Sequence, residues 1–72
     1  MVQKETVKLQ KGELVYFPLD NIIGMIVDIK ETHNNVDNNV KVEWFIDGRI
    51  AIGHLTTANA IRRRQDYLNI IL

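Results

Sequence analysis

Apolar and polar residues alternate from Val40 to Ile46, reach Asp47-Gly48, and give way to a second apolar run through Ile50 and Ile52. Asp-Gly between two such runs predicts a β-hairpin, because the type I′ turn that joins them needs positive φ at both central residues. By the period of two, Val40, Val42, Trp44 and Ile46 share one face, opposite Lys41, Glu43 and Phe45. Gly53-His54 ends the second run.

Similar runs lie upstream. Residues 14 to 19 read Leu-Val-Tyr-Phe-Pro-Leu, a strand with Val15 and Phe17 toward the core and Leu14 and Tyr16 on the other side. Pro18 cannot donate to a ladder, so it closes this strand or sits at an edge. Asp20-Asn21 then supplies turn chemistry. A longer strand is expected from Ile22 to Glu31, with Ile23, Met25, Val27 and Ile29 on one face. Ile22, Gly24, Ile26, Asp28 and Lys30 take the other, and Gly24 predicts a bulge or a close backbone approach. Residues 32 to 39 hold four asparagines and read as a solvated hairpin loop, ahead of a recognition loop. Residues 1 to 11 form a polar N-terminal arm or edge strand, ended by Gly12.

The last segment is the ambiguous one. Thr56-Thr57 is expected to cap a short helix over residues 58 to 64. Residues 66 to 72 then read as a closing strand with Leu68, Ile70 and Leu72 inward. The alternative is one helix to the end, with Ile61, Leu68 and Leu72 on a single stripe. No Gly or Pro punctuates residues 54 to 72, so periodicity does not separate the two. Short helix followed by strand is the favoured reading.

Composition narrows the class. With 72 residues the chain makes one domain at most, and a domain this small buries only about 60% of its unfolded surface. Small domains compensate with disulfides, metal or association. There is no cysteine, and His33 and His54 stand apart without a zinc motif. Association is the remaining compensation. Nine basic and nine acidic side chains cancel, but residues 1 to 47 carry five lysines against eight carboxylates, while residues 48 to 72 carry four arginines against one. That asymmetry suits contact with a partner or a copy of the chain, not the broad positive field of a dedicated nucleic-acid binder. No apolar stretch reaches the roughly 18 residues of a membrane span, and the N-terminus has no signal-peptide core. A soluble, unprocessed chain without a membrane partner is expected.

Four segments together resemble a small SH3-like barrel. They are Lys11-Gly-Glu-Leu-Val-Tyr-Phe, Ile23-Gly-Met-Ile-Val-Asp-Ile, Val40-Lys-Val-Glu-Trp-Phe-Ile-Asp-Gly and Tyr67-Leu-Asn-Ile-Ile-Leu. More narrowly, they are similar to the short SH3-like or KOW-like barrel proteins encoded by tailed bacteriophages. The resemblance covers residues 11 to 72 and implies a mainly β fold, an antiparallel barrel of about five strands with a short helix before the last. Gly12 would make a tight turn, Gly24 would permit barrel curvature and Trp44 would fill the core. The stretch Leu55 to Gln65 departs from the pattern, with eleven residues and three arginines where a brief turn is usual. Many members of this group are virion components, so the resemblance implies a head-decoration, neck or tail protein, located in the virion or the host cytoplasm.

Candidate chemistry changes this little. There is no Ser or Cys nucleophile, and no carboxylate spacing or Gly-rich loop demands an enzyme. No catalytic residue, cofactor or metal is expected. Partner contact is assigned to Tyr16 and Phe45, aromatics on the faces opposite the core, and to Arg49, Arg62, Arg63 and Arg64. On a helix, consecutive arginines point about 100° apart and cannot form one compact patch. The expected function is a non-enzymatic structural or interaction protein whose partners are proteins or copies of itself. A KOW-like adaptor that binds nucleic acid or ribonucleoprotein through the arginines is the second choice.

Overall fold

A computed structural model of the chain describes residues 8 to 31 and 37 to 72. Among the described residues four strands run β1 (Leu14–Phe17), β2 (Ile22–Ile29), β3 (Val40–Ile46) and β4 (Arg49–Leu55), followed by one helix, α1 (Thr57–Ile71). Sheet order equals chain order, β1-β2-β3-β4, with every neighbouring pair antiparallel. The fold is therefore mainly β, a four-stranded meander with a C-terminal helix. The sheet is open, with β1 and β4 at its two edges.

Turn chemistry sets the meander. Asp47 and Gly48 have φ of 51° and 75°, so the two-residue turn pairs Ile46 with Arg49 and fixes the whole β3–β4 register. Asn21 takes φ 56° in the turn between β1 and β2, and Pro18 stands just beyond Phe17, where β1 stops.

The inner face of the sheet carries the core. Val15, Ile26, Val40, Val42 and Ala60 are fully buried, and Ile29, Trp44, Leu55 and Ile61 pack against them. Leu9 belongs to the same cluster, so the chain just before β1 packs on the core. The remainder of the expected arm, residues 1 to 7, lies outside the described residues, as do residues 32 to 36 of the expected loop.

Strand β2 departs from a simple alternation. Ile23 and Met25 lie opposite Phe45 and Glu43, while Ile26 lies opposite Val42 on the inner face. The register shifts between Ile26 and Asp28, leaving Val27 as the extra residue, and Ile29 returns inward opposite Val40. The Asp28 carboxylate accepts the Ile29 amide at 3.0 Å beside this bulge. So Ile29 does not share the face of Ile23 and Met25, as a strict period of two would place it. Gly24 has the other role expected of it. A Cβ there would stand 2.7 Å from Trp44 Cε3 and 3.0 Å from the Glu43 carbonyl oxygen. Gly53 makes the same allowance from β4, 2.9 Å from Trp44 Nε1. The indole lies across two strands that have no side chain to hold it off.

The expected closing strand is not formed; residues 66 to 71 continue α1. Thr56 caps the helix, its hydroxyl accepting the Asn59 amide at 3.1 Å. Ala60, Ile61, Arg64 and Leu68 recur at three- and four-residue spacing, and none of these is exposed. Once Ala60 and Ile61 dock, each further turn adds a bond per residue at little nucleation cost. With no glycine or proline to stop it, propagation overrides the β preference of Ile70-Ile71. The alternative stripe is not borne out in full either, because Leu72 is 96% exposed.

Candidate interaction surface

The outer face of the sheet is where apolar side chains collect with little cover from the described residues. Register places Tyr16 beside Ile23, Ile23 beside Phe45 and Phe45 beside Ile50, one direct cross-strand row from β1 to β4. Phe45 is 43% exposed, Ile50 58% and Ile52 52%. A second row, Leu14, Met25, Glu43 and Ile52, runs beside it. Scattered apolar residues on a surface are ordinary, but a contiguous row of them marks a contact surface.

Tyr16 and Phe45, the two aromatics assigned to partner contact, share this face. The Tyr16 hydroxyl donates to the Asn21 side-chain oxygen, which ties its polar end to the β1–β2 turn. Ile23 and Ile50 were missing from the assignment, although the signal was present. Counting outward from a two-residue turn places Ile50 directly opposite Phe45.

The four arginines separate. Arg62 is exposed on α1, and Arg49 is exposed at the start of β4. Arg63 turns back on the fold: its guanidinium carbon stands 5.3 Å from the Phe17 ring centroid, and Phe17 meets Trp44 edge-on at 6.2 Å and 65°. Asp66 stands 3.2 Å from Arg63 as an ion pair without aligned hydrogen-bond geometry. Arg64 donates to both Glu13 carboxylate oxygens at 3.0 and 3.1 Å and to the Lys8 carbonyl at 3.1 Å. Glu13 also accepts the Gln10 amide at 2.8 Å, which organises the turn before β1. Both Arg63 and Arg64 are under one-fifth exposed, so they are committed to intramolecular contacts and do not project as a basic patch.

A polar cleft of about 340 Å³ lies beside the β2 bulge, lined by Asp28, Lys30, Lys41 and His54 with Asn38 and Asn39. Asn39 is occupied structurally, its amide bonding the Lys30 carbonyl at 2.8 Å and the Thr57 hydroxyl at 3.0 Å. It joins the end of the loop to the start of α1. Among the described residues no group of three His, Cys, Asp or Glu stands together to hold a metal. No described helix is long and apolar enough to cross a membrane.

No family model, no curated protein and no solved structure matches the chain.

Proposed function

We propose that the chain is a non-enzymatic interaction protein, a subunit of a larger assembly, that seats the outer face of its sheet against an apolar surface of a neighbouring subunit. The observation that carries this reading is the continuous row Tyr16, Ile23, Phe45 and Ile50, with Phe45 and Ile50 about half exposed. Water ordered over such a row is released when a complementary surface covers it, and burial stabilises the contact by about 25 cal/mol per Å² before association costs. Phe45, central and aromatic, has the character of an anchor. The virion setting and the SH3-like family belong to the reading through the sequence resemblance alone. Arg49 and Arg62 remain available at the margin for acidic neighbours.

Gradient sedimentation of lysate from the cells that make the protein, with the chain tracked by mass spectrometry, tests the reading. Nuclease-resistant co-migration with large particles is expected, and Phe45→Asp is expected to release the chain from them while circular dichroism stays unchanged. Migration of the native chain as a free small protein overturns it. Particles that disperse under nuclease overturn it in favour of a nucleic-acid adaptor.

A further inference from the structure

Strand β4 is the last of the sheet, and among the described residues nothing pairs with its outer edge. Ile46 and Arg49 flank a two-residue turn, so they form a hydrogen-bonded pair, and the alternation follows from there. Arg49, Ala51, Gly53 and Leu55 aim their main-chain N–H and C=O groups at β3. Ile50, Ile52 and His54 aim theirs away from it, at the open edge. Natural sheets blunt such edges with short strands, charges, proline or bulges. The opposite edge follows that rule, since β1 has only four residues and adjoins α1. Strand β4 has seven residues, no proline, no shift in its register, and one formal charge, Arg49, at its first position.

The same strand is its own complement. Run antiparallel to itself about Ala51, it sets Ile50 opposite Ile52 of a second copy and Ile52 opposite Ile50. Both positions aim their main-chain groups outward, so each pair exchanges both N–H···O bonds. Arg49 then meets Gly53 and no like charges face one another. On the outer face, the row Tyr16, Ile23, Phe45, Ile50 runs on into Ile52, Glu43, Met25 and Leu14 of the second copy. We infer that β4 pairs with β4 of a second copy across a twofold axis at Ala51, joining the two meanders into one continuous sheet. The inference goes beyond the docking face, because it rests on main-chain groups at an edge rather than on the side chains above the sheet.

Analytical ultracentrifugation and residue-resolved amide exchange on the full chain test it. The expected mass is twice 8.3 kDa. Exchange at Ile50 and Ile52 is expected to be slow in the dimer and to quicken on dilution. Ile52→Pro removes an N–H that β3 does not use, and proline is tolerated at such edge positions. That variant is expected to sediment as a monomer with its circular dichroism kept, its self-affinity lower by roughly 100-fold or more, on the order of 3 kcal/mol. A chain that stays monomeric at every concentration overturns the inference. So does a dimer whose Ile50 and Ile52 amides exchange freely, which would place the contact elsewhere. Protection of those amides in a monomer also overturns it, since the chain would then cover its own edge. Should Ile52→Pro fail to fold, the exchange pattern of the native chain decides alone. Phe45→Ala separates the two readings: it is expected to weaken docking to the larger particle and to leave the dimer intact.

Discussion

The two ends of the β3–β4 hairpin both carry apolar residues and differ in fate. At the base, Val40 and Val42 are fully buried, with Leu55 opposite Val40. At the tip, Phe45, Ile50 and Ile52 are each two-fifths to three-fifths exposed, and Arg49 and Ala51 on the inner side are exposed as well. The difference lies in what stands opposite. Helix α1 lies along β1 and reaches β4 only at its end, so the inner face is covered at the base and left open toward the turn at Arg49 and Ala51. Phe45, Ile50 and Ile52 lie on the outer face, away from the helix. One end of the hairpin holds the domain together. The other is free to meet something else.

That contrast is sharpest at Trp44, which stands between the two ends. Trp44→Ala removes the indole laid across Gly24 and Gly53 and its edge contact with Phe17, and is expected to cost about 3 kcal/mol, a large part of a small domain's stability. Urea unfolding followed by circular dichroism measures it, and a loss below about 1 kcal/mol would move the indole out of the stabilising core. Gly24→Ala tests the same contact from the other side. The new methyl meets the Glu43 carbonyl as well as side chains, so about 1–3 kcal/mol of destabilisation is expected from the same titration.

The arginine triplet provides the next contrast. Arg64→Ala unclasps α1 from Glu13 and the Lys8 carbonyl and is expected to cost about 1–2 kcal/mol, while Arg62→Ala stays within about 0.5 kcal/mol. Equal effects in thermal melts of the two variants would mean that the clasp contributes nothing. A change far below that of Trp44→Ala is expected at the hairpin tip. Phe45→Ala should shift the unfolding midpoint by the equivalent of about 0.5 kcal/mol or less while lowering the binding of a hydrophobic dye. A loss as large as that of Trp44→Ala would make Phe45 part of the core.

Much of the sheet was legible because its signals are local. Asp47-Gly48 dictates both the turn and the register, and Pro18 and Asn21 punctuate β1 and β2 within a few residues. The helix end was not legible. Residues 66 to 72 suit a strand or a helix by pattern, and the choice depended on Ala60 and Ile61 finding the sheet. The β2 bulge was hidden for a similar reason. Moving it from Gly24 to Val27 brings Ile29 under Val40, a partner 11 residues away, which no local periodicity records.

For the candidate surface, the sequence determined the alternation that sets Tyr16 and Phe45 apart from the core, because side-chain direction in a strand is a local property of the backbone. Tertiary structure alone decided which arginines stay free. Arg63 and Arg64 adjoin Arg62 in the chain, yet Phe17 and Glu13 come within reach of them only when α1 packs along β1. It also decided that, among the described residues, nothing pairs with the outer edge of β4, because that depends on where α1 comes to rest. Direction is written residue by residue, whereas cover depends on which distant segment arrives.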